Sequence, residues 1–308
     1  MHGLALTIAP IFVIVVLGNM LRRLGLPGDG FWPLASRLGY WVLIPSLLFY
    51  KLSTADVQID RMAPFALGLG GAFFLVGFVV LAVSWGAGMP APQRGSVLQG
   101  AVRHNSFMAL AVAETLYGAE GLSMAALAAA VLALVTNVAI VPALRLLDTR
   151  SGGAMMGRQV LRDIACNPLI LSICTGLAVN GLVPGRIPVL HDATAMLGAV
   201  ALPLMLLCVG AGLRLRGLRA QLWPLALATL GRFVLFPLFV VLIPTGLDSQ
   251  TLLILLMFAA VPTAPSSTAL AAETGGDVAL MNAIVTFQTG LAFVTLPLTL
   301  SLAASMLG

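Results

Sequence analysis

The stretch Ala259-Ala-Val-Pro-Thr-Ala-Pro-Ser-Ser-Thr-Ala-Leu-Ala-Ala-Glu273 decides the fold, because it interrupts an apolar span with two prolines and a run of hydroxyl groups. Pro262 and Pro265 cannot both lie in one regular helix without loss of backbone hydrogen bonds. We therefore expect two half-helices that meet near Thr263. The second half-helix would carry partial positive charge at its N-terminus, beside Ser266 and Ser267, and would favour an anionic group. The alternative is a kinked helix whose hydroxyls bond back to the preceding turn.

The composition of the whole chain is that of a membrane protein. Hydrophobic residues make up 60% of the chain and charged residues 9%, and the mean hydropathy is +1.05, whereas about a quarter of the residues of soluble domains are charged. Apolar runs of roughly 20 residues indicate membrane helices rather than barrel strands. We therefore predict an all-α integral membrane protein with ten transmembrane helices, at about 4–21, 31–50, 63–85, 96–117, 121–145, 164–182, 188–213, 221–244, 249–274 and 277–303.

Landmarks in the first half of the chain recur in the same order about 160 residues later. The pairs are Pro10 and Pro168, Gly18 and Gly176, Pro27 and Pro184, Pro45 and Pro203, Pro64 and Pro224, Gly71 and Gly231, and Glu114 and Glu273. Each half holds an odd number of spans, five, so the second repeat must be inverted relative to the first. We predict repeats at 1–147 and 163–308, joined by a short cytoplasmic linker at 148–162. An inverted repeat with interrupted helices is typical of secondary transporters and not of enzymes.

Basic residues set the predicted orientation. The loops after spans 1, 3, 5 and 7 carry Arg22, Arg23, Arg94, Arg145, Arg150, Arg158, Arg162, Arg214, Arg216 and Arg219, whereas the other side has Lys51, Arg61 and Arg186. The positive-inside rule then puts both termini outside and the linker in the cytoplasm. The isoelectric point of about 9.7 follows from this topology and does not indicate nucleic-acid binding. The apolar run from Leu4 lacks a preceding basic residue, so we expect the first span to remain as a membrane helix.

The fourth span carries the matching polar run, Arg103-His104-Asn105-Ser106. Asn105 and Ser106 align with the ninth-span break, and Asn105 is the first candidate for a substrate contact. Its alternative role is to cap the backbone opening opposite that break. His104 either couples transport to protons or is a buried neutral histidine. Arg103 either faces a cavity or reaches the cytoplasmic surface.

Three further polar residues lie in or near these spans. Asn137 on span 5 is an additional candidate for the lining of the substrate site. Arg232, in the middle of span 8, either bonds carbonyls freed at the break or attracts an anion, and the supporting role is favoured. Glu114 is expected to be an interfacial charge that helps to gate or orient the half-helices.

The absence of several motifs from the sequence makes some classes of transporter less favoured. All eight aspartates fall in loops or at span ends, which disfavours a cation/proton antiporter because that class needs a carboxylate at membrane depth. The three cysteines show no metal-ligand spacing, and no Gly-rich phosphate loop precedes a helix, so ATP-driven transport by this chain alone is not expected. We expect no cofactor and no metal site, with coupling to Na⁺ or H⁺ left open.

Several segments resemble the auxin efflux carrier family in its short bacterial form. They are Tyr40-Trp-Val-Leu-Ile-Pro-Ser-Leu-Leu-Phe49, Asn167-Pro-Leu-Ile170, Ala201-Leu-Pro-Leu-Met-Leu-Leu-Cys-Val-Gly210, Ala260-Val-Pro-Thr-Ala-Pro265 with the serines that follow, and Thr295-Leu-Pro297. The resemblance covers nearly the whole chain. It implies a five-plus-five inverted repeat related to bile acid/sodium symporters, in which helices 4 and 9 cross at their breaks with substrate beside the crossover.

The resemblance also implies how the molecule would work. Helices 1, 2, 6 and 7 would form a scaffold through which the protein dimerises, and helices 3–5 and 8–10 a moving transport unit. Asn105 and Asn137 are similar to polar residues of the crossover and of span 5, and Pro262 is similar to the span-9 crossover proline. Span 4, however, lacks the proline usual in plant members, and Arg103 and His104 add charge beside Asn105.

The sequence thus predicts a carrier of small organic anions, such as mono- or dicarboxylates, in a bacterial cytoplasmic membrane. The movement would be elevator-like. A sodium-coupled symporter of bile-acid type is the alternative, and a membrane sensor that binds an anion without net flux is less favoured.

Overall fold

The structure, a computed structural model, describes residues 2–54, 62–147, 162, 165–183, 185–214 and 221–307, and within those ranges it contains helices and turns but no strand. Apart from Arg162, the predicted linker 148–162 lies outside the described residues. So do Arg61, Arg150, Arg158, Arg216 and Arg219 of the orientation argument, Pro184 of the repeat, and Asp56, Asp60, Asp148 and Asp163.

The helices are α1 (His2–Arg23), α2 (31–54), α3 (Met62–Gly86), α4 (Ala91–Val102), α5 (106–117), α6 (119–147), α7 (Pro168–Leu182), α8 (Leu190–Gly212), α9 (Leu222–Leu242), α10 (Ser249–Ala260), α11 (Ser267–Glu273) and α12 (Val278–Leu307). Gly118 separates α5 from α6 within the helical stretch Ser106–Val135. Its backbone has φ 61° and ψ −146°, a conformation open to glycine and strained for residues with a Cβ.

Each predicted span overlaps one of these helices or one interrupted pair of them. Six helical stretches of the described chain are long and apolar enough to cross a membrane, namely Gly3–Arg23, Met62–Gly86, Ala91–Leu144, Leu190–Gly212, Leu222–Leu242 and Val278–Met306. Pro168–Leu182 and Ser249–Ala260 are apolar but shorter. Large side chains such as Val13 on α1 and Phe78 on α3 are exposed, as expected of surfaces that face lipid. The molecule is an all-helical integral membrane protein, and the ten-span inverted repeat remains a prediction.

Wide π-helical turns interrupt four helices, and three of these turns end two residues before a proline. Gly39–Leu43 precedes Pro45 in α2, Thr136–Ile140 precedes Pro142 in α6, and Gly231–Leu235 precedes Pro237 in α9. A proline donates no hydrogen bond and its ring clashes with the carbonyl one turn earlier, so the helix widens there. The fourth turn, Ala66–Gly70, lies in α3. Tyr40, Asn137 and Arg232 each lie in one of the proline-linked turns.

The helices pack in two sets of neighbours. In one set, α1 packs on α8, and α2 packs on both α7 and α8. In the other, α4 packs on α3 and α9, and α10 packs on α9 and α12. The stretch that holds α5 and α6 packs on α3 and α10 of the second set and also contacts α1, α7 and α8, so the two sets touch each other.

Helices α1 and α8 approach so closely that their backbones touch at glycines. A Cβ added to Gly18 would collide with the backbone of Leu207, and one added to Gly210 with the backbone of Val15. Arg22 of α1 donates to the carbonyl of Ala211 at 2.7 Å, and so satisfies a carbonyl at the C-terminus of α8. Glycine at these positions lets the two helices act as one rigid pair.

Candidate functional site

Two chain breaks meet in the interior of the molecule. α4 ends at Val102 and α5 begins at Ser106, whereas α10 ends at Ala260 and α11 begins at Ser267. The backbone N–H of Asn105 donates to the carbonyl of Pro262 at 2.8 Å, so the breaks touch directly. Backbone groups freed at a break inside a membrane must find partners in protein or in a water-filled cavity.

Arg232 supplies partners for several of the freed carbonyls. Its guanidinium donates from Nε to Val261 O at 2.6 Å, from Nη1 to Val102 O at 3.4 Å and from Nη2 to Phe258 O. The side chain is fully buried, and its guanidinium lies 4.8 Å from the centre of the Phe236 ring. Arg232 therefore joins the C-terminal ends of α4 and α10.

Thr263 is part of a second buried network and does not line the cavity, contrary to its predicted role as a substrate ligand. Its hydroxyl lies 2.6 Å from Gly100 O and 2.7 Å from Gln288 Oε1, and its N–H donates to the same Oε1 at 3.1 Å. Gln288 Nε2 donates to Gly100 O at 3.0 Å. These contacts tie the α10–α11 break to α4 and α12, so Thr263 is a structural residue here.

A cavity of about 520 Å³ lies beside the breaks. Seven residues singled out in the sequence line it: Arg103, His104, Asn105, Ser106, Asn137, Pro265 and Ser266. Pro262, Arg232, Glu114 and Ser267 are not among its lining residues. The opposite wall comes from α2, α7 and α8, and includes Ser36, Tyr40, Asn167, Leu169, Met205 and Cys208.

Asn105 lines this cavity and has a buried amide donor without a partner in the described chain. Its Oδ1 accepts from Met108 N at 3.2 Å and so caps α5. The side chain is 1% exposed, and its Nδ2 has no hydrogen-bond partner among the residues that the structure describes. A buried donor without a partner costs roughly 1–3 kcal/mol, and a ligand in the cavity would remove that cost. The sequence left two roles open for Asn105, a substrate contact or a cap. The two roles can coexist, because Oδ1 caps the helix and Nδ2 is left for a ligand.

Arg103 faces the cavity from the same wall. Its Nη2 donates to Ser266 Oγ at 3.1 Å and its Nη1 to Gln99 Oε1 at 3.4 Å. Within the described ranges Arg103 has no carboxylate partner, and no Asp or Glu lines the cavity. The arginine therefore adds an uncompensated positive charge to the site.

The remaining predicted residues take varied positions. Asn137 lines the cavity while its Nδ2 donates to Ala133 O at 2.9 Å. His104 is buried, and in the described part of the chain its Nδ1 has no partner. At the start of α11, the amides of Ser267 and Thr268 donate to Ala264 O and Pro265 O. These two amides at the predicted positive end of the second half-helix are therefore already bonded, whereas the first residues of α5, Ser106 and Phe107, line the cavity.

Glu114 lies away from this site, at the other end of α5. Its carboxylate is 3.6 Å from Nζ of Lys51 at the end of α2. The pair links α2 to α5 on the side of the molecule opposite Asn105, which fits the predicted interfacial position.

Sequence reasoning assigned no role to Tyr40 or Asn167, which also line the cavity. Both lie in segments that carry the family resemblance. Asn167 caps α7, because its Oδ1 accepts from Leu169 N and Ile170 N at 3.0 and 3.3 Å. An Asn-Pro pair that opens a helix was the available signal. For Tyr40, only a three-dimensional view brings α2 next to the breaks.

The site does not have the composition of a metal centre. In the part of the chain that the structure describes, no group of three or more His, Cys, Asp or Glu side chains lies close enough to hold an ion. What the site offers is amide, hydroxyl and guanidinium donors around one cavity, a set suited to an oxygen-bearing anion.

Comparisons with known proteins agree with a transport role. Residues 153–300 match the family described as "Membrane transport protein". The chain is 26% identical over 304 residues to an uncharacterized transporter of Methanothermobacter thermautotrophicus, and the match covers 95% of this chain and 96% of the relative. Both matches support a membrane transporter, in agreement with the resemblance to the auxin efflux carrier family.

Proposed function

We propose that this transporter is a secondary carrier of small organic anions, such as mono- or dicarboxylates. The observation that carries the proposal is that Asn105 and Arg103 both line the cavity, and that the buried Nδ2 of Asn105 has no hydrogen-bond partner among the described residues. A carboxylate between these two side chains would accept one hydrogen bond from the neutral amide of Asn105 and one from the charged guanidinium of Arg103. Hydrogen bonds to charged groups are stronger than those between neutral groups. The partial positive charge at the N-terminus of α5 adds to this attraction.

The cavity also offers contacts for the rest of a substrate. Ser106 and Ser266 provide hydroxyl groups on the side of the breaks, while Leu169, Met205 and Val209 form an apolar surface opposite them. A small organic acid would place its carboxylate against the breaks and its carbon skeleton against α7 and α8.

The packing supports an elevator-like movement. The cavity lies where the set of α1, α2, α7 and α8 meets the set that holds both breaks. In the proposed five-plus-five arrangement the first set is the scaffold, through which two copies would dimerise, and the second is the transport unit. Arg232 and Thr263 link the two breaks within the second set, so the substrate site would move as one body.

The proposed location is a bacterial cytoplasmic membrane with both termini outside. The cavity lies against Ser36 near the start of α2, Asn167 at the start of α7 and Gly212 at the end of α8. The arginine distribution assigns all three of these helix ends to the cytoplasm. In this orientation the cavity represents a state open toward the cytoplasm.

Counterflow in proteoliposomes tests the proposal. Purified protein, loaded with one unlabelled acid and offered a panel of labelled mono- and dicarboxylates, is expected to exchange at least one of them. Asn105→Asp keeps an oxygen that caps α5 but replaces the amide donor by a negative charge. We expect this variant to lose transport about tenfold or more, the effect of about 1.4 kcal/mol, while it remains folded.

Asn282→Ala is the matched control. Asn282 carries the same amide but bonds Thr268 at 3.3 Å and does not line the cavity, so transport by this variant should stay near that of the unmodified protein. Normal counterflow by a folded Asn105→Asp variant would remove Asn105 from the site. Substrate binding without net flux in any gradient would favour a sensor over a carrier.

A further inference from the structure

Carbonyl groups at helix breaks are where transporters with interrupted helices commonly coordinate a coupling cation. Here three such carbonyls, those of Val102, Phe258 and Val261, accept hydrogen bonds from one side chain, Arg232. They come from the ends of both interrupted helices, α4 and α10. The guanidinium therefore occupies the position between carbonyl groups that a bound cation would need.

The charge balance at this position does not depend on an acidic side chain. Arg232 is fully buried, and the ion pairs found among the described residues do not include it. Helix C-termini carry partial negative charge, so the carbonyl ends of α4 and α10 are its electrostatic partners. The nearby Phe236 ring adds a cation–π contact.

We infer that Arg232 is a built-in cation that takes the place of a coupling Na⁺ ion, so that the carrier works without a sodium gradient. This inference rests on the proposed function and separates it from the sodium-coupled alternative. A tethered guanidinium is always present at its binding position, and a sodium ion would have to displace it from all three carbonyls. The cation would travel with the breaks in every state of the transport cycle.

The unmodified protein gives the first test. Flux of a transported acid is measured with sodium outside, and again with choline in its place, at equal ionic strength and clamped membrane potential. We expect the acid to cross at the same rate in both media and to accumulate against its gradient in neither. A carrier coupled to one Na⁺ would instead accumulate its substrate up to about tenfold in a tenfold sodium gradient. At equilibrium the free energy of the substrate gradient equals that of the sodium gradient.

The melting temperature of the purified protein is also measured, once in sodium and once in choline medium. This measurement needs no substrate, so it decides the inference even if no acid is transported and the proposed function fails. An unchanged melting temperature is expected, and a rise specific to sodium would overturn the inference.

Arg232→Ala tests whether the position is a cation site. We expect the variant to melt lower than the unmodified protein, and low millimolar guanidinium to raise its melting temperature by about 1.5 °C or more, the shift that roughly 1 kcal/mol produces in a chain of 308 residues. Choline should have no such effect. Arg103→Ala is the matched control, because Arg103 bonds side chains and not the freed carbonyls, and guanidinium should not stabilise it.

Arg232→Lys covers the case in which Arg232→Ala does not fold. Lysine keeps the charge but not the planar fork, so this variant should be folded, slower than the unmodified protein and still independent of sodium. Sodium-dependent flux in Arg232→Lys, or a folded Arg232→Ala that guanidinium does not stabilise, would contradict the inference.

Discussion

At the scale of single residues, Asn105 and Thr263 show how neighbouring polar side chains at one crossing take different roles. Both are buried next to the same pair of breaks. Thr263 has partners for its hydroxyl and its N–H, whereas Asn105 has a partner for its oxygen but none for its nitrogen within the described chain. A satisfied residue stabilises the fold, and an unsatisfied donor at a cavity is available to a ligand.

Thr263→Val should therefore lower stability rather than substrate affinity. The change removes the hydroxyl between Gly100 and Gln288 but keeps the shape of the side chain, and it leaves buried acceptors with fewer partners. We expect a loss of about 1–3 kcal/mol in the free energy of unfolding, measured by thermal melting of the purified protein.

Ser266→Ala is the comparison for Thr263→Val. Ser266 lines the cavity and accepts from Arg103 at 3.1 Å, so its loss should raise the KM for transport and leave the melting temperature nearly unchanged. If Thr263→Val melted like the unmodified protein while its KM rose, the original prediction of Thr263 as a substrate ligand would be right after all.

At the scale of helices, the sequence predicted the interruptions better than the contacts that they make. Pro262 and Pro265 indicate a break wherever they lie, because the rule concerns backbone hydrogen bonds within one segment. The break at Arg103-His104-Asn105 has no proline, and its prediction depends on the polar run alone. Which side of each break faces the cavity depends on packing between distant segments, so the burial of Thr263 and the position of Tyr40 did not follow from the sequence.

The close contact between α1 and α8 predicts how a bulkier residue would affect the packing of these two helices. Gly210→Ala would push a methyl group into the backbone of Val15, which cannot yield as a flexible side chain can. We expect this variant to show a lower yield of folded protein and a lower melting temperature, by more than the helix propensity of alanine can offset.

Gly290→Ala is its control on α12. A Cβ at Gly290 meets no atom within 4 Å, and alanine stabilises a helix by roughly 1 kcal/mol relative to glycine. We expect an unchanged or slightly higher melting temperature. Equal behaviour of the two variants would mean that α1 and α8 are not held together as closely as the structure has them.

At the scale of the whole molecule, the two ends differ in what they hold. The cavity with Arg103 lies toward one end, and the Lys51–Glu114 pair joins α2 to α5 toward the other. In the proposed orientation the ion pair lies on the outer side, where α2 belongs to the scaffold and α5 to the transport unit. A movement that opened the outer side would have to separate this pair, and a partly exposed pair costs at most about 1 kcal/mol to break. The contact is weak enough to be broken in each cycle.

Cys208 makes both the orientation and the charge of the cavity measurable without knowledge of the substrate. It lines the cavity with 8% of its surface exposed, whereas Cys166 and Cys174 are exposed elsewhere and can be changed to serine. In that background, membrane-impermeant methanethiosulfonates should modify Cys208 in inside-out vesicles and much more slowly in right-side-out vesicles. After each rate is divided by the rate of the same reagent with a free thiol in solution, a sulfonate reagent should react faster than a trimethylammonium reagent, about tenfold if Arg103 contributes 1.4 kcal/mol, and Arg103→Gln should remove that preference. Faster reaction from the outside would invert the proposed topology, and a corrected preference for the cationic reagent would exclude an anion site.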